Sequence, residues 1–371
     1  MKIGIVGLPN VGKTTFFNSL SGAKAPAENY PFCTIDQNIG SVIVPDKCID
    51  KLAEMENPKK ITFATVDFVD IAGLVKGAHK GEGLGNKFLS HIREVDAIAH
   101  VVRCFTTADI THVHGAPNPM DDAEIIDMEL AFADLQTVEK RLQKVSRTAK
   151  GGDKDAKQME AFLMKVKPVL EEGIPLRRFF KNNPLLNEEI PLLNEACFIT
   201  TKPVMFIANV GEAVDDDTAK EIANLKKYAE DDGCELLTVS AAVEAELADL
   251  EPDERELFIE ELGWEIHGLD SMIKSAYSLL NYISFYTTGP DEVRAWPITS
   301  DSTAPQAAGK IHSDIEQGFI RADIVSFDAL VETGSFSAAR EKGQLRSEGK
   351  SYIMQEGDVV LFHFVAPKSG K

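Results

Sequence analysis

Residues 7–14 read GLPNVGKT and contain the pattern GxxxxGK[ST] between an apolar segment and a helical one. In such a loop Gly7 and Gly12 permit a tight turn, so that backbone N–H groups converge on an anion at a helix N-terminus. Lys13 can then bridge the β- and γ-phosphates of a nucleotide, and the Thr14 hydroxyl can coordinate Mg²⁺. The motif therefore predicts a nucleoside triphosphate site. The loop residues assigned to nucleotide binding are Asn10, Val11, Gly12, Lys13, Thr14 and Thr15, and Lys13 is also assigned to catalysis.

Strand and helix patterns alternate through the first 120 or so residues and resume after residue 203. The strand patterns lie at 3–6, 40–44, 62–70, 97–102, 203–209 and 235–239. Alternation of this kind predicts an α/β fold with a mostly parallel, doubly wound sheet of the P-loop NTPase type. Such a sheet binds its ligands at the carboxyl ends of the strands.

Two further regions depart from this alternation. From about residue 122 to 195 the pattern is helical, and Gly151–Gly152 separates two runs that predict an inserted helical hairpin. After about residue 280, short strand patterns and one helical pattern near 304–317 predict a separate α+β module. We therefore expect a nucleotide-binding domain over 1–280, interrupted by the insertion, and a small domain over 281–366.

The distribution of charge narrows the choice of partners. The formal net charge is −20, which argues against a protein that coats nucleic acid through its overall charge. Residues 136–167 nevertheless hold nine Lys/Arg against four acidic residues, a local net charge of +5. This stretch is either a surface for a polyanion or the solvated face of a structural hairpin.

Cysteine usage and hydropathy predict the compartment. The five cysteines are scattered and form no CxxC pair, which is typical of a reduced cytoplasmic protein with free thiols. No apolar run approaches the ~20 residues of a membrane helix, and the N-terminus carries no secretory signal. The sequence thus predicts a cytoplasmic protein that does not use a membrane.

A second phosphate-linked motif follows the strand pattern at 62–70. Asp70 and Gly73 form a DxxG, in which the carboxylate holds Mg²⁺ through water and the glycine amide senses the γ-phosphate. Thr34 lies in the polar loop between the two motifs and is predicted to supply a second hydroxyl to Mg²⁺. An ordinary loop threonine is the alternative for Thr34.

The residue that follows the DxxG motif is unusual for a hydrolase of this type. Enzymes resembling Ras carry a glutamine beside this position that orients the attacking water, whereas this chain has Leu74. Hydrolysis is therefore slow, or a polar group comes from another segment. The neighbouring loops offer His79, Lys80, His112 and His114, each of which is otherwise a plain loop residue.

The base-recognition segment departs from the NKxD of GTPases. Residues 209–212 read Asn-Val-Gly-Glu, and the longer Glu212 side chain no longer fits the two donors of guanine. Asn209 can still pair with adenine, whose N6 donor and N7 acceptor suit an amide. ATP is therefore preferred to GTP. The residues assigned to the base side of the site are Asn209, Val210, Glu212, Ser240, Ala241 and Ala242.

Several stretches together resemble the YchF group of Obg-like ATPases. They are GLPNVGKTTFFN (7–18), DIAGLVKGAHKGEGLGNKFLSHIREVDAIAHVVRCF (70–105), the NxxE of 209–212 and RAWPITSDSTAPQAAGKIHSDIEQGFIRADI (294–324). The resemblance implies a TRAFAC-class nucleotide domain, a helical insertion and a C-terminal TGS domain. It also implies an ATPase that accepts GTP less well, Mg²⁺ bound by Thr14 and Thr34, and His112 as the replacement catalyst.

The resemblance further implies association with ribosomes and stress regulation, with the TGS domain and the basic insertion facing RNA or the ribosome. The resulting hypothesis is a monomeric, Mg²⁺-dependent ATPase and weaker GTPase that switches its affinity for a ribosomal partner. Two alternatives stay open. One is an Obg-like GTPase that tolerates Glu212, and the other is a nucleotide-gated binding module with negligible hydrolysis.

Asn10 carries a hypothesis of its own, because it stands where potassium-stimulated relatives place a monovalent-ion ligand beside the phosphates. A K⁺ ion there would supply the positive charge that an arginine finger supplies in other enzymes. We therefore expect faster ATP turnover in K⁺ than in Na⁺ buffers at equal ionic strength. Equal turnover in the two buffers would contradict this hypothesis.

Overall fold

The computed structural model describes residues 2–22, 38–71, 84–105, 118–212, 214–247, 250 and 268–365. The chain forms two compact units, one of Met1–Ser41 with Asp67–Met272 and one of Val42–Val66 with Ile273–Lys371. Among the described residues, none of the helices combines the length and the apolarity that a bilayer span requires.

The strands and helices have the following bounds. The strands are β1 Lys2–Val6, β2 Asn38–Ile43, β3 Lys60–Thr62, β4 Thr65–Asp70, β5 Ala97–Cys104, β6 Val204–Val210, β7 Glu235–Val239, β8 Tyr282–Thr287, β9 Glu292–Thr299, β10 Phe319–Ser326, β11 Arg346–Glu348 and β12 Asp358–Phe364. The helices are α1 Lys13–Gly22, α2 Lys47–Glu56, α3 Leu84–Glu94, α4 Pro119–Lys150, α5 Lys154–Glu171, α6 Leu176–Asn182, α7 Ile190–Ala196, α8 Asp216–Asp231, α9 Ala241–Leu247, α10 Leu269–Leu279, α11 Ala304–Ile311, α12 Ser313–Gln317, α13 Phe327–Thr333 and α14 Phe336–Glu341. A 3₁₀ turn covers Ile199–Thr201.

The first unit is built on a sheet with the strand order β2-β4-β1-β5-β6-β7. The pairs β4–β1, β1–β5, β5–β6 and β6–β7 are parallel. Every residue of β5 and of β6 is buried, as expected for central strands that helices cover on both faces. These strands are therefore mainly apolar in the sequence, and the predicted α/β doubly wound sheet is confirmed.

The insertion consists mainly of the long helix α4 and its antiparallel neighbour α5. Gly152, with φ +96°, turns the chain between them, and the Asp153 side chain caps α5 by accepting from the Ala156 N–H. Leu163, Val166 and the other apolar residues on the inner face of α5 pack against α4. The helical hairpin predicted by the sequence is present.

Two buried carboxylates fix α4 to the rest of the first unit. Asp134 is fully buried, and its two oxygens accept from the Ile199 and Thr200 N–H groups at 2.9 and 2.8 Å. Two turns earlier, Asp127 pairs with Arg177 at 2.5 Å and accepts from the Tyr228 hydroxyl at 2.8 Å. The hairpin thus begins from a helix that is anchored by specific polar contacts.

The second unit contains a sheet with the order β11-β10-β12-β8-β9-β3. Its edge strand β3 comes from far upstream and pairs in parallel with β9. The sequence pattern predicts one strand over 62–70 and places that region in the nucleotide-binding domain. The structure instead has two strands, and residues 42–66 belong to the second unit. The physical reason is that the free edge of β9 offers hydrogen-bonding groups to a three-residue strand.

The C-terminal part of this unit also differs in detail from the expectation. The helix predicted over 304–317 is interrupted at His312, whose backbone is extended, so that α11 and α12 are separate helices. The short helices α13 and α14 were not predicted. Each begins at a serine whose hydroxyl accepts a backbone N–H of the first turn, namely Ser326 for α13 and Ser335 for α14.

Candidate nucleotide site

The parallel strands of the first unit bring several loops to one edge of the sheet. β1 runs directly into the glycine-rich loop, and β4 ends at Asp70. β6 ends at Val210, and Ser240 follows β7. Because parallel strands end at the same edge, the motifs predicted from separate parts of the sequence are assembled at one place.

The loop owes its conformation to two glycines. Gly12 has φ +92°, and a Cβ atom there would lie 2.4 Å from the Asn209 Nδ2 atom. At Gly7 a Cβ atom would lie 2.4 Å from the Val101 carbonyl oxygen. The loop is therefore packed so closely against β5 and β6 that any side chain at these positions would displace it. Asn10 adopts the left-handed conformation with φ +64°, which Asn tolerates better than most residues.

The Lys13 side chain is folded over the loop from which it comes. It is only 7% exposed, and its ammonium group donates to the carbonyl oxygens of Gly7 at 3.1 Å and Leu8 at 2.7 Å. Burial lowers the pKa of Lys13 to about 8, with the Asp70 carboxylate acting in the opposite direction. The lysine is thus a desolvated cation at the N-terminus of α1, where a phosphate group is favoured.

Thr14, the residue after Lys13, contacts Asp70 at the end of β4. The Thr14 hydroxyl donates to the Asp70 carboxylate at 3.2 Å. Burial raises the pKa of Asp70, whereas the Thr14 hydroxyl and Lys13 act to lower it. A hydroxyl and a carboxylate are the hard oxygen ligands that Mg²⁺ prefers, so these two residues fit the role of a magnesium site beside the phosphates.

Asn209 connects the loop to the segment that follows β7. Its Nδ2 atom donates to the Val11 carbonyl at 2.8 Å, and its Oδ1 atom accepts from the Ala241 N–H at 3.1 Å. The side chain is only 4% exposed. The sequence predicts that this amide pairs with adenine and that residues 240–242 lie on the base side of the site. In the structure these two hydrogen bonds brace the phosphate loop against the segment after β7, and the pairing of Asn209 with adenine stays a prediction.

The other predicted residues differ in their accessibility. Val210, Ser240 and Ala241 are buried, whereas Glu212 and Ala242 are exposed. Asn10 and Thr15 are exposed on the loop and on the first turn of α1. Thr34, Gly73 and His112 lie outside the described residues, as do Leu74, His79, Lys80 and His114.

Sequence reasoning missed the backbone carbonyls of Gly7, Leu8 and Val11, which hold Lys13 and Asn209. Carbonyl groups leave no signal in residue type, so only the loop motif itself could have pointed to them. The structure thus assembles Lys13, Thr14, Asp70 and Asn209, together with the Val11 and Ala241 backbone, into one site.

Replacing Gly12 with alanine tests the brace, with Gly152→Ala as a matched control. Both glycines have φ between +90° and +100°, but nothing lies within 4 Å of a Cβ atom at Gly152. Both variants should lose about 1–2 kcal/mol of stability through backbone strain, and Gly12→Ala should lose more because its Cβ atom displaces the Asn209 amide. Only Gly12→Ala should also weaken ATP binding, by about 100-fold, since two buried hydrogen bonds of Asn209 are worth roughly 1–3 kcal/mol each when broken. Titration with a fluorescent ATP analogue measures the affinities, and equal affinities in the two variants would contradict the brace.

Known proteins resemble this chain over nearly its whole length. A family of 50S ribosome-binding GTPases matches residues 2–145, and the YchF-GTPase C-terminal family, described as a protein of unknown function, matches residues 282–365. The ribosome-binding ATPase YchF of Bacillus subtilis is 48% identical over 97% of this chain and 98% of its own length. Obg-like ATPase 1 of Gallus gallus is 42% identical over 100% of this chain and 94% of its own length.

A solved structure agrees with these relationships. The structure of the Schizosaccharomyces pombe YchF GTPase matches with a TM-score of 0.84 at 36% identity, and the match covers 98% of this chain and 97% of that one. The resemblance inferred from the motifs is therefore confirmed, and this chain belongs to the YchF family of Obg-like P-loop ATPases.

Proposed function

We propose that this protein is a Mg²⁺-dependent ATPase, and a weaker GTPase, whose nucleotide state controls its binding to ribosomes. The observation that carries the proposal is the contact between Thr14 and Asp70 beside the buried Lys13, in a loop braced by Asn209. The relatives that are 48–49% identical are named ribosome-binding ATPases, which supports the same function here.

In this mechanism the Lys13 ammonium group exchanges its two carbonyl acceptors for phosphate oxygens. The loop amides add hydrogen bonds to the same oxygens, so negative charge that develops during phosphoryl transfer is met by groups already in place. Thr14 and Asp70, with Thr34, would hold Mg²⁺, which supplies positive charge to the transferring group. We assign γ-phosphate sensing to Thr34 and the Gly73 amide.

Two further roles complete the proposal. His112 replaces the glutamine that Leu74 lacks, by orienting or deprotonating the attacking water. Asn10, exposed at the turn of the loop, supports a K⁺ ion beside the phosphates. Both assignments are supported by the family resemblance and by the position of each residue in the sequence.

The proposed ribosome-facing surface is the basic part of the hairpin. Its exposed cations include Lys144 and Arg147 near the end of α4, Lys150 beside the turn, and Lys154 and Lys157 at the start of α5. An excess of positive charge on an otherwise acidic protein complements RNA phosphates. Because ribosomes are the proposed partner, we place the protein in the cytoplasm, and we propose that it acts as a monomer.

The choice of base is tested by Glu212→Asp. The wild type should bind ATP more tightly than GTP, because the Glu212 carboxylate overreaches the guanine donors. Restoring the shorter carboxylate should shift the ATP-to-GTP affinity ratio toward GTP by about tenfold, the equivalent of ~1.4 kcal/mol from one corrected hydrogen bond. Equilibrium titrations with both nucleotides give the ratio. Tighter GTP binding by the wild type would support the alternative of an Obg-like GTPase.

The switch itself is tested by turnover and ribosome binding in the full chain. Single-turnover ATP hydrolysis should fall about 10²-fold in His112→Ala, the usual size of a lost general-base contribution. The control variant His312→Ala, which changes an exposed histidine of the second unit, should hydrolyse ATP normally.

Ribosome co-sedimentation should differ between an ATP analogue and ADP. Co-sedimentation should weaken when Lys144, Lys150 and Lys157 are all changed to Gln. The matched control is a variant in which the α8 residues Lys220, Lys226 and Lys227 are changed to Gln.

Each of these experiments has an outcome that would contradict the proposal. Wild-type turnover no faster than background would favour a binding module with negligible hydrolysis. Absence of co-sedimentation in every nucleotide state would refute the ribosome as partner. Equal loss of ribosome binding in the two lysine variants would remove the hairpin from the interface.

A further inference from the structure

Residues 42–66 are an excursion of the chain between two strands of the nucleotide-binding sheet. The chain leaves the first unit after Ser41 in β2 and returns at Asp67 in β4, and these strands are neighbours in the sheet. The Ser41 hydroxyl donates to the Asp67 carboxylate at 2.6 Å. Just beyond, the Val44 N–H donates to the Ala64 carbonyl at 2.9 Å. The excursion thus has a closed base, at which the outgoing and returning segments are hydrogen-bonded to each other.

The end of the excursion is attached to the C-terminal sheet by strand pairing. β3 pairs in parallel with β9 over three residues, with Ile61 opposite Val293. The Thr62 hydroxyl donates to the Glu292 carboxylate at 2.6 Å, and the Lys59 N–H donates to the Pro290 carbonyl at 3.1 Å. Ile61 is 43% exposed, so this short edge strand buries little apolar surface. Such pairing is among the contacts of a protein that open most readily.

Helix α2 provides a second and more strongly buried attachment. Asp46 caps the helix by accepting from the Cys48 N–H at 2.8 Å, and its other oxygen accepts from the Tyr286 hydroxyl of β8 at 2.8 Å. Ile49 and Leu52 on the inner face are fully buried, and α2 packs against β9 and α13. The helix is therefore part of the C-terminal core, whereas β3 is held more weakly at its edge.

Both ends of the excursion lead to the nucleotide site. β4 continues without interruption from Thr65 to Asp70, whose carboxylate contacts the Thr14 hydroxyl. Thr34 precedes β2, and Gly73 follows β4, in the sequence. In the sequence, residues 42–66 therefore lie between Thr34 and Gly73, the two positions proposed to sense the γ-phosphate. Only eight positions separate Asp70 from Thr62, the last residue of β3.

We propose that the excursion 42–66 couples nucleotide state to the C-terminal unit, by changing how β3 pairs with the edge of β9. This inference rests on the proposed function, because a bound ATP must differ from ADP in its contacts near Asp70. The buried helix α2 keeps the excursion attached, while the three-residue ladder of β3 responds. By linkage, a partner that binds the C-terminal unit and prefers one arrangement of β9 changes ATP affinity by the same factor.

Hydrogen exchange in the full chain tests the coupling, with Mg²⁺ and either ADP or a non-hydrolysable ATP analogue. Peptides covering β3 and β9 should differ in exchange rate by at least about threefold between the two nucleotides. Tyr286→Phe, which removes the hydroxyl from Asp46, should reduce this difference, and so should Thr62→Val. The matched control is Tyr352→Phe, which removes a hydroxyl that donates to Asp358 at 2.9 Å elsewhere in the same sheet. It should leave the difference unchanged.

Nucleotide binding and hydrolysis, measured on the same samples, separate this inference from the proposed function. If ATP binds and is hydrolysed but β3 and β9 exchange equally in both states, the coupling is wrong and the ATPase assignment stands. If the wild type neither binds nor hydrolyses ATP, the proposed function is wrong. A nucleotide-dependent difference that survives unchanged in both Tyr286→Phe and Thr62→Val also overturns the route through the excursion.

Discussion

The nucleotide site depends on one buried side-chain amide. Asn209 ties the Val11 carbonyl of the phosphate loop to the Ala241 N–H beyond β7, so two loops that follow different strands hold a fixed geometry. Gly12 is required because a Cβ atom would collide with that amide. A loop that is held in place before a phosphate arrives needs less ordering when it binds one. This contact does not involve the base, so it is compatible with the Val-Gly-Glu that follows Asn209 in place of the Lys-x-Asp of NKxD.

The same reliance on buried polar contacts fixes the helical insertion. Burial alone would raise the pKa of Asp127, but the adjacent Arg177 guanidinium outweighs it and holds that pKa below its ordinary value. Asp134 receives neutral N–H and O–H donors instead of a cation, and burial keeps its pKa raised. Buried charges of this kind add little net stability, because desolvation offsets most of the attraction. Removing one partner is costly, however, so such contacts disfavour other placements of α4 on the sheet.

The sequence predicted the features that depend on local pattern. The loop 7–14, the buried strands β5 and β6 and the helical hairpin all follow from motifs or apolar runs that are long enough to recognise. The role of Asn209 and the membership of residues 42–66 could not be predicted in this way. Asn209 acts through backbone atoms of distant residues, and β3 pairs over three residues with a strand more than 200 positions away. A ladder so short has no periodicity, and its partner is decided by which sheet edge is free.

Lys13 shows how the site is poised for phosphate. Two backbone carbonyls are weaker partners for an ammonium group than a charged phosphate, and burial lowers the pKa of Lys13 to about 8. Charge that is poorly solvated interacts more strongly with an incoming anion, because little water has to be displaced and the local dielectric constant is low. Phosphate oxygens would raise the pKa of Lys13 again, so binding is favoured below pH 8 and becomes coupled to proton uptake above it. The desolvation that lowers the pKa of Lys13 in the free protein therefore also favours the binding of a phosphorylated ligand.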